Sequence, residues 1–316
     1  MTRFLIVLFS FLFYLQTSFA NNKAPKSPAE VTVGAYITHI YDINLQKKTV
    51  SAIFWLWFIY PDQLIIDNNE FDIINAEKFS VLYKNTQQLV DNKTLKQYKI
   101  RATLSQGWSF ENFPFSTKPL SIIIEDADFN AHTVIFKTDE VNSDVDHEMP
   151  LSGWTLSTDN WQTYIHHYDT NFGNPNNSGN TAYARAIYSV EMTHTNIRMF
   201  IHIFGMLYLA CILILGMFFI PIKDIKSRLA LNSAAIFAVV GSKISTDSIL
   251  PPANTINLID KIQLTVLIFM VITLITVVLN YYLCEKHIKW AHIVNVGFAI
   301  LTVLMIALSN VFFMLA

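Results

Sequence analysis

Three stretches of this chain, residues 199–222, 262–283 and 291–316, contain no Asp, Glu, Lys or Arg. Roughly 20 consecutive apolar residues carry a helix across the ~30 Å hydrocarbon layer of a bilayer, so each stretch is long enough to span. Between the first two lies 228–250, apolar enough to enter a membrane but carrying Asn232, Ser233, Gly241, Ser242, Lys243 and Asp247. Lipid would not tolerate that set of side chains, so the segment belongs inside a bundle or against water. Pro251-Pro252 ends it sharply. Four spans are expected, at 199–222, 228–250, 261–283 and 290–314.

Charge is concentrated in the other part of the molecule. Overall 52% of the residues are hydrophobic and 15% charged, and mean hydropathy is +0.35, with most of the acidic and basic residues before Arg198. The net charge of −2 and the lack of any Lys/Arg block argue against a nucleic-acid partner. Only two cysteines exist, Cys211 and Cys284, so the polar part cannot be disulfide-stapled and needs a packed core of its own.

Residues 1–20 combine one basic residue, Arg3, an apolar run over 4–15 and small residues Ser18 and Ala20 before Asn21. That pattern reads as a secretory signal peptide removed from the mature chain; as an uncleaved anchor, the apolar run is short for a bilayer. Lys223, Lys226 and Arg228 precede the second span, and Lys286 and Lys289 lie between the third and fourth, which makes both loops cytoplasmic. The N-terminal domain (21–198) and the C-terminus then share the extracytoplasmic side, while 199–316 lies in the membrane. Signal and loop charges give the same orientation.

The polar part reads as strands. Val31, Val33, Ala35 and Ile37 alternate with Thr32, Gly34, Tyr36 and Thr38, a half-buried pattern. After a turn at Lys47-Lys48, Val50, Ala52, Phe54, Leu56 and Phe58 share one face and Ile53, Trp55, Trp57 and Ile59 the other. Both faces are apolar, so this strand is covered twice, once by its own core and once by something else, a neighbouring subunit being one candidate. Shorter strand-like runs follow at 99–104, 120–125, 133–137, 162–168 and 183–192, punctuated by Gly, Pro, Asn and Asp. A β-sandwich over roughly 30–195 is the economical reading.

An exported sandwich without cysteines, joined to four helices whose second is polar and ends in Leu250-Pro251, resembles the prokaryotic pentameric ligand-gated ion channels. The residues that carry the resemblance are Val33-Gly34-Ala35-Tyr36 through Ile40-Tyr41-Asp42, Trp55-Leu56-Trp57-Phe58, the Phe113-Pro114-Phe115 turn, Tyr168-Asp169-Thr170-Asn171-Phe172-Gly173, and Arg228-Leu229 at the start of the second membrane helix. It covers nearly the whole mature chain. The resemblance implies an all-β, immunoglobulin-like extracellular sandwich followed by an all-α four-helix transmembrane bundle, a homopentamer in a bacterial inner membrane, and a ligand-gated pore. Three positions depart from the family pattern: Ser116 where an Asp is usual, Met206 where a Pro is usual, and His194 where an Arg is common. All lie near the junction through which the family couples binding to opening, where the resemblance places Phe113, Pro114, Phe115 and Pro251. A non-conducting, membrane-anchored ligand-binding or sensor protein of the same fold is therefore the alternative.

Helical steps of three and four residues put Ala230, Ala234, Phe237, Gly241, Ile244 and Ser248 on one stripe. Such a stripe also serves ordinary packing; the resemblance implies that it lines the pore, with Phe237 and Ile244 as an apolar gate. Lys243 and Asp247 fall off the stripe, four residues apart, and can neutralise one another. No carboxylate stands at the expected inner mouth, where Ser227 lies between Lys226 and Arg228, so the sign of the permeating ion stays open.

The ligand site of such a family lies between neighbouring sandwiches, in an aromatic box with one or two acids. The resemblance places Glu125, Phe129, Tyr168 and Tyr183 there, a set suited to a small amine agonist, although strand tyrosines also serve cores and cross-strand pairs. His166 and His167 are adjacent on a strand and point to opposite faces, and Asp126 and Asp128 fit a turn. No nucleophile has a recognisable base partner. The expectation is of no enzyme activity, no cofactor and no metal, with membrane lipid and a small-molecule agonist as partners.

Overall fold

The computed structural model describes residues 27–64, 70–173, 181–195, 197–252 and 256–315. The expected signal segment, 1–20, lies outside the described residues, as does the loop between Gly173 and Thr181.

Ten strands come first among the described residues: β1 (Ala29–Asn44), β2 (Thr49–Pro61), β3 (Phe71–Ile73), β4 (Ala76–Leu89), β5 (Lys93–Ser105), β6 (Lys118–Asp126), β7 (Val134–Thr138), β8 (Asp144–Val145), β9 (Trp154–Tyr168) and β10 (Thr181–His194). They form two sheets. The first has the order β4-β5-β2-β1-β7, with β8 also on β1, and the second has the order β3-β6-β10-β9. The strand β1 is antiparallel to β2 but parallel to β7 and β8.

Alternation explains the shared core. Val50, Ala52, Phe54, Leu56 and Phe58 are at most 1% exposed, and they meet Leu120, Ile122 and Ile124 of β6 and Ala184, Ala186, Tyr188 and Val190 of β10 in one cluster. The other face of β2, expected to need a second cover, is half-buried in the single chain. Trp55 packs edge-on against Tyr83 of β4 with ring centroids 5.8 Å apart. The Trp57 indole donates from Nε1 to Asp139 Oδ2 at 3.0 Å. Directly opposite Trp57 on β1 is Gly34, where an added Cβ would overlap the indole ring.

The strand β4 was not anticipated. It is exposed along nearly its whole length, at the edge of its sheet, so neither face imposes the alternation that marks a buried strand.

Four helices follow: α1 (Ile197–Met217), α2 (Ile225–Ile249), α3 (Leu258–Lys286) and α4 (Ile288–Leu315). All four are long and apolar enough to cross a membrane, as a multi-pass membrane protein requires. The helix α1 stops at Met217, short of the expected 222, whereas α2, α3 and α4 begin two or three residues ahead of the expected 228, 261 and 290. Asp224 accepts from Ser227 N at the start of α2, and Asn257 with Asp260 forms a capping box at the start of α3. Past α1, the Ile220 carbonyl accepts from Nε and Nη2 of Arg228 on α2, at 3.1 and 2.6 Å. The Phe218 carbonyl accepts from Asn295 Nδ2 on α4 at 3.0 Å.

Candidate functional site

The aromatic cluster grows from three adjacent strands of the second sheet. On β6 the inward positions are Lys118, Leu120, Ile122, Ile124 and Asp126, all buried, so Glu125 belongs to the opposite face. On β10 Arg185 stands directly across from Glu125, and on β9 Tyr164 stands across from Arg185. Period-two alternation then puts Tyr183 beside Arg185, and His166 and Tyr168 beside Tyr164, on that same face.

Their side chains form a closed network. Glu125 Oε1 pairs with Arg185 at 2.5 Å to Nη2 and 2.6 Å to Nε. Glu125 Oε2 accepts from the Tyr168 hydroxyl at 2.9 Å. That hydroxyl in turn accepts from Arg185 Nη2 at 3.0 Å, and the Tyr164 hydroxyl accepts from Arg185 Nη1 at 3.3 Å. Burial, and then the hydrogen bond to Glu125, push the Tyr168 hydroxyl above its ordinary pKa. Around this core the Tyr168 ring meets those of Tyr183 at 6.0 Å, Phe172 at 5.1 Å and His166 at 4.5 Å.

Three of the four expected box residues, Glu125, Tyr168 and Tyr183, are thus brought together. Phe129 sits in the turn after β6 and packs against the core; among the described residues no ring contact links it to these tyrosines. The turn is held by Asp126, whose Oδ1 accepts from the backbone of Asp128 and Phe129 at 3.0 and 2.8 Å. Burial raises the Asp126 carboxyl above the usual range. The residue missed from sequence is Arg185. An arginine on the outward face of a strand is ordinarily solvated and draws no attention, yet this one is 9% exposed and occupies the carboxylate that an ammonium ligand would seek.

The buried polar residues of helix α2 face the rest of the bundle: Asn232 Nδ2 donates to the Met270 carbonyl at 3.4 Å and to Thr273 Oγ1 at 3.3 Å. Ser242 donates to the Ile203 carbonyl at 3.3 Å and accepts from Gln263 Nε2 at 3.2 Å. On the opposite side Ala230, Ala234, Phe237, Ile244 and Ser248 are exposed, Phe237 at 76% and Ile244 at 67%, with Gly241 half-buried beside Met206. Lys243 bonds Asp247 at 2.9 Å, the spacing expected on one helix, and also Asp260 on α3 at 2.7 Å.

The junction between sheets and helices is aromatic. Phe113 is buried in the core, and the Phe113-Pro114 peptide is cis. Phe115 instead reaches outward to the rings of Phe200 and Phe204 on α1, each at 6.4 Å. Leu258 N, opening α3, donates to the Glu111 carbonyl at 2.8 Å. Ser116 accepts a hydrogen bond from Lys118 Nζ, and the Lys118 ammonium lies over the Phe110 ring at 5.1 Å. Lys118 is 2% exposed and also donates to the Thr117 carbonyl at 3.5 Å, and burial lowers its pKa to about 8. His194 closes β10 with its ring 4.7 Å from Trp154, and burial lowers its pKa. Pro251 directly follows the α2 C-cap, Leu250. Compared with models of known protein families and with curated proteins, the chain has no match.

Proposed function

We propose that this chain is a subunit of a ligand-gated ion channel, an exported immunoglobulin-like sandwich joined to four membrane helices and assembled as a homopentamer around α2. The carrying observation is the free face of α2. It mixes Ala230, Ser233, Ala234, Asp247 and Ser248 with the large apolar residues Ile236, Phe237, Val240 and Ile244. The free face of α4, with Trp290, Ile293, Val296, Ile300 and Leu304, is bulky and apolar as lipid demands. Small, hydroxyl and charged residues on α2 suit water or close helix neighbours instead.

Repeated around an axis, that face makes a conduit narrowed at Phe237 and Ile244, where water is poorly held and an ion would lose hydration without replacement. A ligand at the Tyr168–Tyr183 cluster would act on the pore through the sheets and the Phe115–Phe204 contact. Because Glu125 is already paired with Arg185, an amine would bind through aromatic faces or by displacing the guanidinium. Planar-bilayer recording from the reconstituted protein, across pH and a panel of small amines, tests the reading. Phe237→Ser should wet the neck and give a leak current; a silent variant that reaches the membrane would sink the pore assignment.

The second reading is a non-conducting ligand-binding or sensor protein of the same build. It draws on the neutralised Glu125 and on Ser116, His194 and Met206 at the junction. Ligand binding measured on protein that passes no current, in both the native form and Phe237→Ser, would select it.

A further inference from the structure

Among the described residues, five buried side-chain polar atoms lack a hydrogen-bond partner, and four of them belong to three residues of the helix bundle: Arg228 Nη1, both amide atoms of Asn280, and Asn295 Oδ1. These residues are 1%, 0% and 8% exposed. Buried polar groups in folded proteins nearly always find partners, and between helices as apolar as these the need is sharper, because hydrocarbon supplies none. A group of exceptions marks a place where something other than the chain completes the bonding.

The three side chains come from three helices and meet around one turn. Arg228 of α2 and Asn295 of α4 both reach the chain just after α1, where they hold the Ile220 and Phe218 carbonyls. Asn280 arrives on α3, where Val277, Asn280 and Cys284 share one face at helical steps of three and four. Val277 packs in one cluster with Met217 and Phe218, and Cys284 is near enough to act electrostatically on Arg228. Asn280 stands between the two on that stripe and so faces the same turn.

The free atoms ask for both kinds of bond. Arg228 Nη1 and Asn280 Nδ2 can only donate, while the two Oδ1 atoms can only accept. An anion would serve the donors alone, and a metal cation would be repelled by the guanidinium, which forms no ion pair among the described residues. Water donates and accepts, and a buried water typically makes about three bonds to groups of this sort. Asn280 precedes Lys286 and Asn295 follows Lys289 by the same span of sequence, about 9 Å along each helix at 1.5 Å per residue. Solvent at the connection between α3 and α4 is therefore close.

We propose that a small cluster of ordered waters is bound inside the bundle at this turn, bridging Arg228, Asn280 and Asn295. The waters solvate the Arg228 charge where no carboxylate does. They complete the hold that α2 and α4 keep on the end of α1, and the site is the same whether or not the protein conducts.

Hydroxyl-radical footprinting of the full-length protein in lipid nanodiscs tests this, since an X-ray pulse makes radicals from water already in place, buried water included. Met217, in the cluster beside the site, and Met192, in the sandwich core, are both 0% exposed. Oxidation of Met217 well above that of Met192 is the expected result, and it should be lost in Asn280→Leu. Equal labelling of the two methionines in the native protein overturns the proposal without recourse to any variant, and so does Met217 labelling that persists in Asn280→Leu. Thermal melting gives a second reading. In a dry site Asn280→Leu removes an amide that has no partner and raises the melting temperature; in a hydrated site it strips bonds from the waters around Arg228, and the melting temperature falls. A rise overturns the proposal. So does stabilisation of the native protein by chloride over acetate at equal ionic strength, which would assign the site to an anion.

Discussion

Arg185 and Glu125 face each other directly across β10 and β6 and close an ion pair at 2.5 Å, with their side chains only 10% and 6% exposed. Removing one partner of such a pair leaves a buried charge uncompensated, which costs about 3–5 kcal/mol. Arg185→Gln should therefore lower the melting temperature substantially, and the double variant Arg185→Gln/Glu125→Gln should recover most of the loss. If the two single effects simply add, the side chains are not coupled as the geometry indicates.

The same pair controls ligand chemistry in the proposed channel. Freed from Arg185, Glu125 presents an anion beneath Tyr168 and Tyr183, so any amine that binds there should bind more tightly to the fraction of Arg185→Gln that stays folded. A calorimetric titration with the amine panel against native and variant protein reads this directly, and an unchanged affinity would place amine binding elsewhere.

Lys118 predicts a pH dependence of stability. Its folded-state pKa, about 8, lies below the ordinary lysine value of 10.5. Between those values the folded state holds fewer protons than the unfolded one, so folding grows more favourable as pH rises from about 8 toward 10.5, and the penalty of the buried ammonium is fully present below about 8. Lys118→Met should raise the melting temperature at pH 7 and flatten its rise between pH 8 and 10. Ser116→Asp, which sets a carboxylate where the Lys118 ammonium already donates, should do likewise by pairing the charge. Melting curves with an unchanged slope in both variants would exclude Lys118 as the titrating group.

Gly34 is fixed by its neighbour. The Trp57 ring, tethered to Asp139, fills the space where a Cβ would go, so Gly34→Ala should cost about 1–3 kcal/mol as an overpacking change. Adding Trp57→Leu removes the obstacle and should restore part of that stability, measured by denaturation of the same preparations.

Phe115 separates binding from opening. It is 60% exposed and yet its ring lies against Phe200 and Phe204, so Phe115→Ala should leave the fold of both sheets intact while loosening the sheet-to-helix contact. In the proposed channel, ligand affinity would persist while evoked current falls; equal loss of both would assign Phe115 a purely structural role.

What could be read from the sequence was what burial makes periodic. The doubly apolar β2, the charge-free helices and the stripe Ala230, Ala234, Phe237, Ile244 and Ser248 each leave a repeat that survives without coordinates. The strand β4 leaves none, because Lys78, Lys84, Asn85, Gln87 and Gln88 sit at an exposed edge where no face selects apolar residues. Arg185 escaped for a different reason: its importance lies in Glu125, 60 residues away, and only strand register makes them neighbours. Asp260, the second partner of Lys243, was hidden likewise, since the pair expected from helical spacing was Asp247 alone.

The carbonyls just beyond α1 are held by Arg228 of α2 and Asn295 of α4, which satisfies backbone acceptors that hydrocarbon could not. Three helices are consequently knotted at the end of α1 farthest from the sheets. A motion that kept these bonds would displace the opposite ends most, like ribs of a fan turning on one rivet, and those ends are where Phe200, Phe204 and Leu258 meet Phe115 and Glu111.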